Sequence, residues 1–190
     1  MKLVFATHNL NKYEEVKELM PAHIELLSLH DINQMEEIPE TQPTIEGNAL
    51  QKARFVKDRF NLNCFADDTG LEVSALDGAP GVFSARYAGP KKDPNDNMNK
   101  LLQQLSNKDD RSAQFKTIIA LLLNGKEYLF EGICEGTITK AKIGSQGFGY
   151  DPVFKPKGSK ITFGEMQMSD KAVYSHRAKG IKKLINFLNN

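Results

Sequence analysis

Two long apolar runs, residues 114–123 and 127–139, meet at Asn124-Gly125. Asn-Gly tolerates the positive φ angles of a tight two-residue hairpin, and apolar strand-formers on both sides make the signal strong. A chain with this hairpin must build a sheet around it, because a lone hairpin leaves its edges unpaired. Further strand-like runs lie at residues 2–6, 24–29 and 64–67. Helical spacing fills the gaps. Val16, Leu19 and Met20 recur on one face after a polar turn, with Thr7 or Asn9 as the cap. Ala49, Ala53 and Val56 do the same over residues 44–60, with Thr44 as the cap. Residues 95–105 and 175–190 also read as helices, and residues 31–43 as an acidic loop. Strands alternating with helices, plus one long hairpin, predict an α/β fold with a mixed β-sheet flanked by helices.

At 190 residues the chain suits a single domain, residues 1–190, or two small lobes with a shared core. A net charge of +1 gives no overall field for duplex nucleic acid or an anionic membrane, so neither is expected as a partner. No apolar run reaches the ~20 residues of a membrane span. The start, MKLVFATHNLNK, turns polar too early for a signal peptide, so the expected location is cytoplasmic. Cys64 and Cys134 lie apart in apolar runs and read as buried free thiols rather than a zinc site.

Chemistry concentrates in four places. FADDTGLEV sets Asp67 and Asp68 side by side in a strand, where neighbours face opposite ways. At least one must then turn inward, and a buried carboxylate needs a partner. THNLNK joins a strand to a helix, and a helix start with Lys12 one turn in suits phosphate. It is not a Walker A loop, because the GxxxxGK[ST] spacing is absent. GFGYDP offers flat rings, Phe148 and Tyr150, for stacking on a base, with Asp151 held extended before Pro152. SHR places His176 and Arg177 at a helix start, with Lys171 upstream, as donors for phosphate or purine oxygens. Carboxylates near a phosphate grip make an oxygen-rich site for Mg²⁺. Residue by residue, these signals describe a Mg²⁺-dependent nucleotide enzyme.

Five stretches also resemble one family in order and spacing: ATHNLNK, ETQPTIEGNALQKA, FADDTGLEVSALDGAPGVFSARYAG, GFGYDPVF and KAVYSHRAKG. The resemblance is to the inosine triphosphate pyrophosphatases, and it runs nearly end to end. It implies an elongated mixed sheet forming two lobes around a central cleft. It implies a homodimer that hydrolyses ITP, dITP and XTP to the monophosphate and pyrophosphate, cleansing the nucleotide pool. It implies Mg²⁺ held by Glu40 and Asp68, with Asp68 as the catalytic carboxylate. Substrate would be held by Thr7, His8, Asn9, Leu10, Asn11 and Lys12 at the phosphates, with Lys52 beside them and Thr69 in contact. The base would meet Phe148, Gly149, Tyr150 and Asp151, with Lys171, His176 and Arg177 on its other side. On this reading Arg177→Leu should harm turnover far more than stability. A pyrophosphatase for modified pyrimidines, a nucleotide-binding regulator without catalysis and a nucleic-acid-binding module are the competing readings.

Overall fold

The computed structural model describes residues 1–190. Strand β1 (Lys2–Phe5) lies between β2 (Glu25–Leu27) and β3 (Cys64–Val73), parallel to both. The hairpin joins β5 (Ser112–Leu123) to β6 (Lys126–Ile138). Asn124 and Gly125 sit at φ 50 and 79, the left-handed pair this turn demands. β7 (Phe154–Pro156) adds antiparallel to β6, and the two-residue β4 (Pro80–Gly81) adds antiparallel to β3. The order β2-β1-β3-β5-β6-β7 forms one mixed sheet, with β4 on β3.

The helices are α1 (Leu10–Lys17), α2 (Ile45–Phe60), α3 (Pro94–Gln104), α4 (Met168–Tyr174) and α5 (His176–Leu188). Each of the first three starts on an oxygen cap: Asn9, Thr44 and Asp93. Helix α1 starts at Leu10, six residues before Val16, because Asn9 accepts from the Lys12 N–H and sets the start there, and it ends at Lys17, so Leu19 and Met20 of the expected apolar face lie beyond it. No helix is long and apolar enough to cross a membrane.

The chain packs as two compact units. The first holds Met1–Asp68, Thr117–Gly132 and Arg177–Asn190, around a core of Leu3, Phe5, Val16, Phe65, Ile119, Leu121, Ile181 and Leu184. Phe5 and Phe65 stack there with centroids 4.6 Å apart. The second holds Thr69–Lys116 and Ile133–His176, around Leu71, Val73, Leu101, Phe115, Val153, Phe154 and Phe163. Strands β3, β5 and β6 contribute residues to both units. Both cysteines are buried and free, as their apolar neighbours imply.

Candidate active site

In the first unit, the acidic pair of β3 divides as strand geometry requires. Asp67 turns to one side, where Oδ1 accepts from Lys12 Nζ at 3.0 Å and Oδ2 from Arg177 Nε at 2.9 Å. Arg177 also donates to Glu15, one turn beyond Lys12 on α1. A chain of alternating charge, Lys12–Asp67–Arg177–Glu15, thus ties the starts of α1 and α5 to β3. Burial alone would raise the Asp67 carboxyl, but Lys12 and Arg177 outweigh it and hold it well below the usual carboxylate range. Burial lowers Lys12, with Asp67 opposing.

Asp68 turns to the other side and meets α2. Asn48 and Lys52 stand four residues apart on the buried face of that helix. Lys52 Nζ reaches Glu40 Oε1 at 2.5 Å and Asp68 Oδ1 at 3.4 Å. Asn48 Nδ2 lies 3.4 Å from Asp68 Oδ2, while Asn48 Oδ1 accepts from Gln42 N at 2.9 Å. The side-chain amide of Gln51 pairs with Thr41 at both ends, so α2 grips the loop that carries Glu40. Burial raises the Asp68 carboxyl, against the pull of Lys52 and Lys12. For Glu40 burial also pushes upward, but Lys52 prevails and the net shift is downward. Burial would depress Lys52, yet Asp68 and Glu40 outweigh it and raise it.

The loop from Thr7 to Lys12 also belongs to this unit. Thr7 Oγ1 accepts from Asn9 N at 3.2 Å, and Asn9 Oδ1 from Lys12 N at 3.2 Å. His8, Leu10 and Asn11 are exposed, Leu10 at 77%. An apolar side chain that exposed contributes no packing, so its backbone is the useful part at a helix start.

In the second unit, Thr69 follows Asp68 along β3, and residues Phe148, Gly149, Tyr150 and Asp151 form a loop around one carboxylate. Asp151 Oδ2 accepts from Phe148 N at 2.8 Å and from Lys171 Nζ at 2.7 Å. Gly147 makes this approach possible: at φ 72, a Cβ there would lie 2.0 Å from Asp151 Oδ2. Lys171 Nζ lies over the Phe148 ring at 4.7 Å and the Phe163 ring at 5.4 Å. The rings of Tyr150 and Phe148 part company here. Tyr150 is buried, donates to Ser84 O at 2.9 Å and packs into the core, whereas Phe148 is half-buried beside the lysine. His176 stacks on Phe115 with centroids 4.7 Å apart and planes 18° apart.

The predicted residues therefore form two groups. Lys12, Glu40, Lys52 and Asp68 fall into one linked charge cluster of the first unit, joined there by Arg177. Phe148, Asp151 and Lys171 are in mutual contact in the second unit. Arg177 does not share the surroundings of its neighbour His176, because successive side chains of a helix point about 100° apart. Sequence reasoning gave no role to Glu15 or to the Asn48 amide. The position of Glu15, three residues after Lys12 on the α1 face, was the only signal for it.

A profile of the Ham1 family matches residues 3–187. The chain belongs to the Ham1 family. Named relatives agree. The dITP/XTP pyrophosphatase of Flavobacterium psychrophilum is 54% identical over 190 residues, covering 100% of each chain. That of Christiangramia forsetii is 56% identical over 188 residues, covering 99% of each. Among solved structures, the Staphylococcus aureus Ham1 protein superposes with a TM-score of 0.90 at 35% identity, covering 100% of this chain and 98% of that one. A Coxiella burnetii HAM1 protein gives 0.91 at 34% identity, with the same coverage. The α/β mixed sheet expected for this Ham1 chain is thus the fold of its relatives.

Proposed function

We propose that this chain hydrolyses dITP, ITP and XTP to the monophosphate and pyrophosphate, with Mg²⁺ as cofactor. The observation that carries this is the convergence of Glu40 and Asp68 on one point, marked by the Lys52 ammonium. Two carboxylates that can share one cation suit Mg²⁺, which is commonly bound by one or two carboxylates plus substrate phosphates. Fewer than three acidic or sulfur ligands gather there, so the protein alone makes no closed cage. Glu40 and Asp68 would hold the ion, which supplies charge neutralisation at the phosphates when bound.

The chain's own residues supply the rest. Asp68, held by Asn48 and Lys52, orients the attacking water toward the α-phosphorus. Lys12, Lys52 and the start of α1 stabilise negative charge growing on the departing pyrophosphate. The base stacks on Phe148, whose ring is fixed beside Lys171 by Asp151. Donors such as Lys171 and His176 pair with the 6-oxo oxygen of hypoxanthine or xanthine. Adenine presents an amino donor at that position and leaves them unmatched, which can reject it by large factors. Arg177, already gripped by Asp67 and Glu15, acts on the site by fixing Asp67 and through it Lys12.

The names of the relatives support the substrate class. Turnover in ¹⁸O-labelled water tests the reaction: label in the monophosphate product supports attack at the α-phosphorus, and label in the pyrophosphate product refutes it. The resemblance also supports a homodimer acting in the cytoplasm, and light scattering at micromolar concentration reads the assembly.

A further inference from the structure

Thr117 lies on β5, fully buried, outside every motif described above. Its Oγ1 donates to the backbone carbonyl of Asp68 at 2.9 Å, across 49 residues of chain. Its methyl is held from the other side. Gly180 of α5 is buried, and a Cβ there would meet Ile119 Cδ1 at 2.9 Å and Thr117 Cγ2 at 3.4 Å. A glycine inside a helix costs about 1 kcal/mol against alanine, so close packing is the reason to keep one. Here the bare face of Gly180 lets α5 lie against Thr117 and Ile119. A β-branched side chain has few χ1 choices, and with its methyl packed there the hydroxyl points at Asp68.

Asp68 sits where β3 passes from the first unit to the second, and Thr117 opens the part of β5 that belongs to the first. The Asp68 carboxylate is steered only by contacts at 3.4 Å from Asn48 and Lys52. Beyond its place in β3, between β1 and β5 in the sheet, the Asp68 backbone has this hydroxyl as an added anchor, which bears on whether the carboxylate holds a water in line. We propose that Thr117 is a positioning residue for Asp68: its hydroxyl, oriented by the Gly180 face of α5, fixes the Asp68 carbonyl and so the direction of the reacting carboxylate. This rests on the reading that Asp68 is the reacting group. Thr117 itself touches neither substrate nor metal.

Two variants test it on the full-length chain. Thr117→Val removes the hydroxyl and keeps the shape; Thr117→Ser keeps the hydroxyl. With ITP and Mg²⁺, the valine variant is expected to lose kcat by ~10-fold with KM unchanged, because small misplacements of reacting groups cost rate rather than binding. Serine should restore kcat to within about threefold, as the donor is back, the remaining loss reflecting the missing methyl that packs toward Gly180. The sequence has one Asp–Thr step, Asp68-Thr69, so ¹³C′-Asp with ¹⁵N-Thr labelling isolates that single carbonyl in an NMR spectrum. Its ¹³C′ shift should move in Thr117→Val and return in Thr117→Ser. An unmoved carbonyl, or a valine variant with wild-type kcat, overturns the proposal. So does a kcat loss that serine does not rescue. If wild-type protein leaves ITP intact, the reading of the reaction fails instead, and the carbonyl shift still decides whether Thr117 holds Asp68.

Discussion

Lys12 Nζ donates to Asp67 Oδ1 at 3.0 Å, with the two side chains only 14% and 1% exposed. The loop from Thr7 to Lys12 is thereby tethered to β3. Arg177 shares the same carboxylate, so one buried anion holds two cations brought from opposite ends of the sequence.

Asp67→Asn and Arg177→Leu should both unfold the protein at markedly lower temperature. Removing one partner of a buried ion pair leaves the other charge uncompensated and costs about 3–5 kcal/mol. This reverses the sequence-based expectation that Arg177→Leu would spare stability, and the reason is the burial between Asp67 and Glu15. Thermal melts check it; a loss of under a degree or two for Arg177→Leu would contradict the burial argument.

Lys52→Met should leave Glu40 and Asp68 facing each other without their shared cation. A loss of ~2–3 kcal/mol is expected, on the low side because Glu40 keeps part of its hydration. The deficit should shrink as the pH drops and the carboxylates gain protons. Denaturant midpoints of wild type and variant at neutral and mildly acidic pH would show it. A gap that stays constant across that range would contradict the charge explanation.

Gly147→Ala should disrupt the Asp151 loop. The new methyl lies 2.0 Å from Asp151 Oδ2 and the backbone keeps a positive φ of 72, so the loop must move and Phe148 with it. The expected result is a KM for ITP raised several-fold, with the circular dichroism of the sheet unchanged. An unaltered KM would separate this loop from the base.

Burial pushes the Cys64 thiol up to about 12, and its Sγ donates to Ala53 O at 3.2 Å. A thiol raised in the folded state keeps its proton after the unfolded chain has lost it. Its contribution is therefore intact below the ordinary thiol range and is lost as pH climbs from about 9 toward 12. The slope is about 1.4 kcal/mol per pH unit for one group. Urea midpoints should thus fall more steeply with alkaline pH for wild type than for Cys64→Ala; parallel curves would count against it.

Much of this was legible in the sequence. The Asn124-Gly125 turn fixed the long hairpin, and the Thr44 cap placed the start of α2; for α1 the sequence left Thr7 and Asn9 open as the cap, and the helix stops at Lys17, short of Leu19 and Met20. Alternation along β3 foretold that Asp67 and Asp68 would part. What was hidden were the long-range partners. Nothing local says that Asp67 will meet Arg177, 110 residues away, or that Thr117 will reach the Asp68 carbonyl. The division of the aromatics was also hidden, because Phe148 and Tyr150 look alike as rings until the Ser84 carbonyl claims the tyrosine hydroxyl. Short elements escaped as well. Strands β4 and β7 have two and three residues, too few for a period to register.

The most direct measurement is pyrophosphate release by the purified chain with Mg²⁺, comparing ITP, XTP, ATP and GTP, with Asp68→Asn alongside. Rapid turnover of ITP and XTP, slow turnover of ATP, and loss of all turnover in a folded Asp68→Asn variant is the expected result. Equal rates on all four, or an active Asp68→Asn protein, would contradict the assignment of the Glu40–Lys52–Asp68 cluster as the reaction centre.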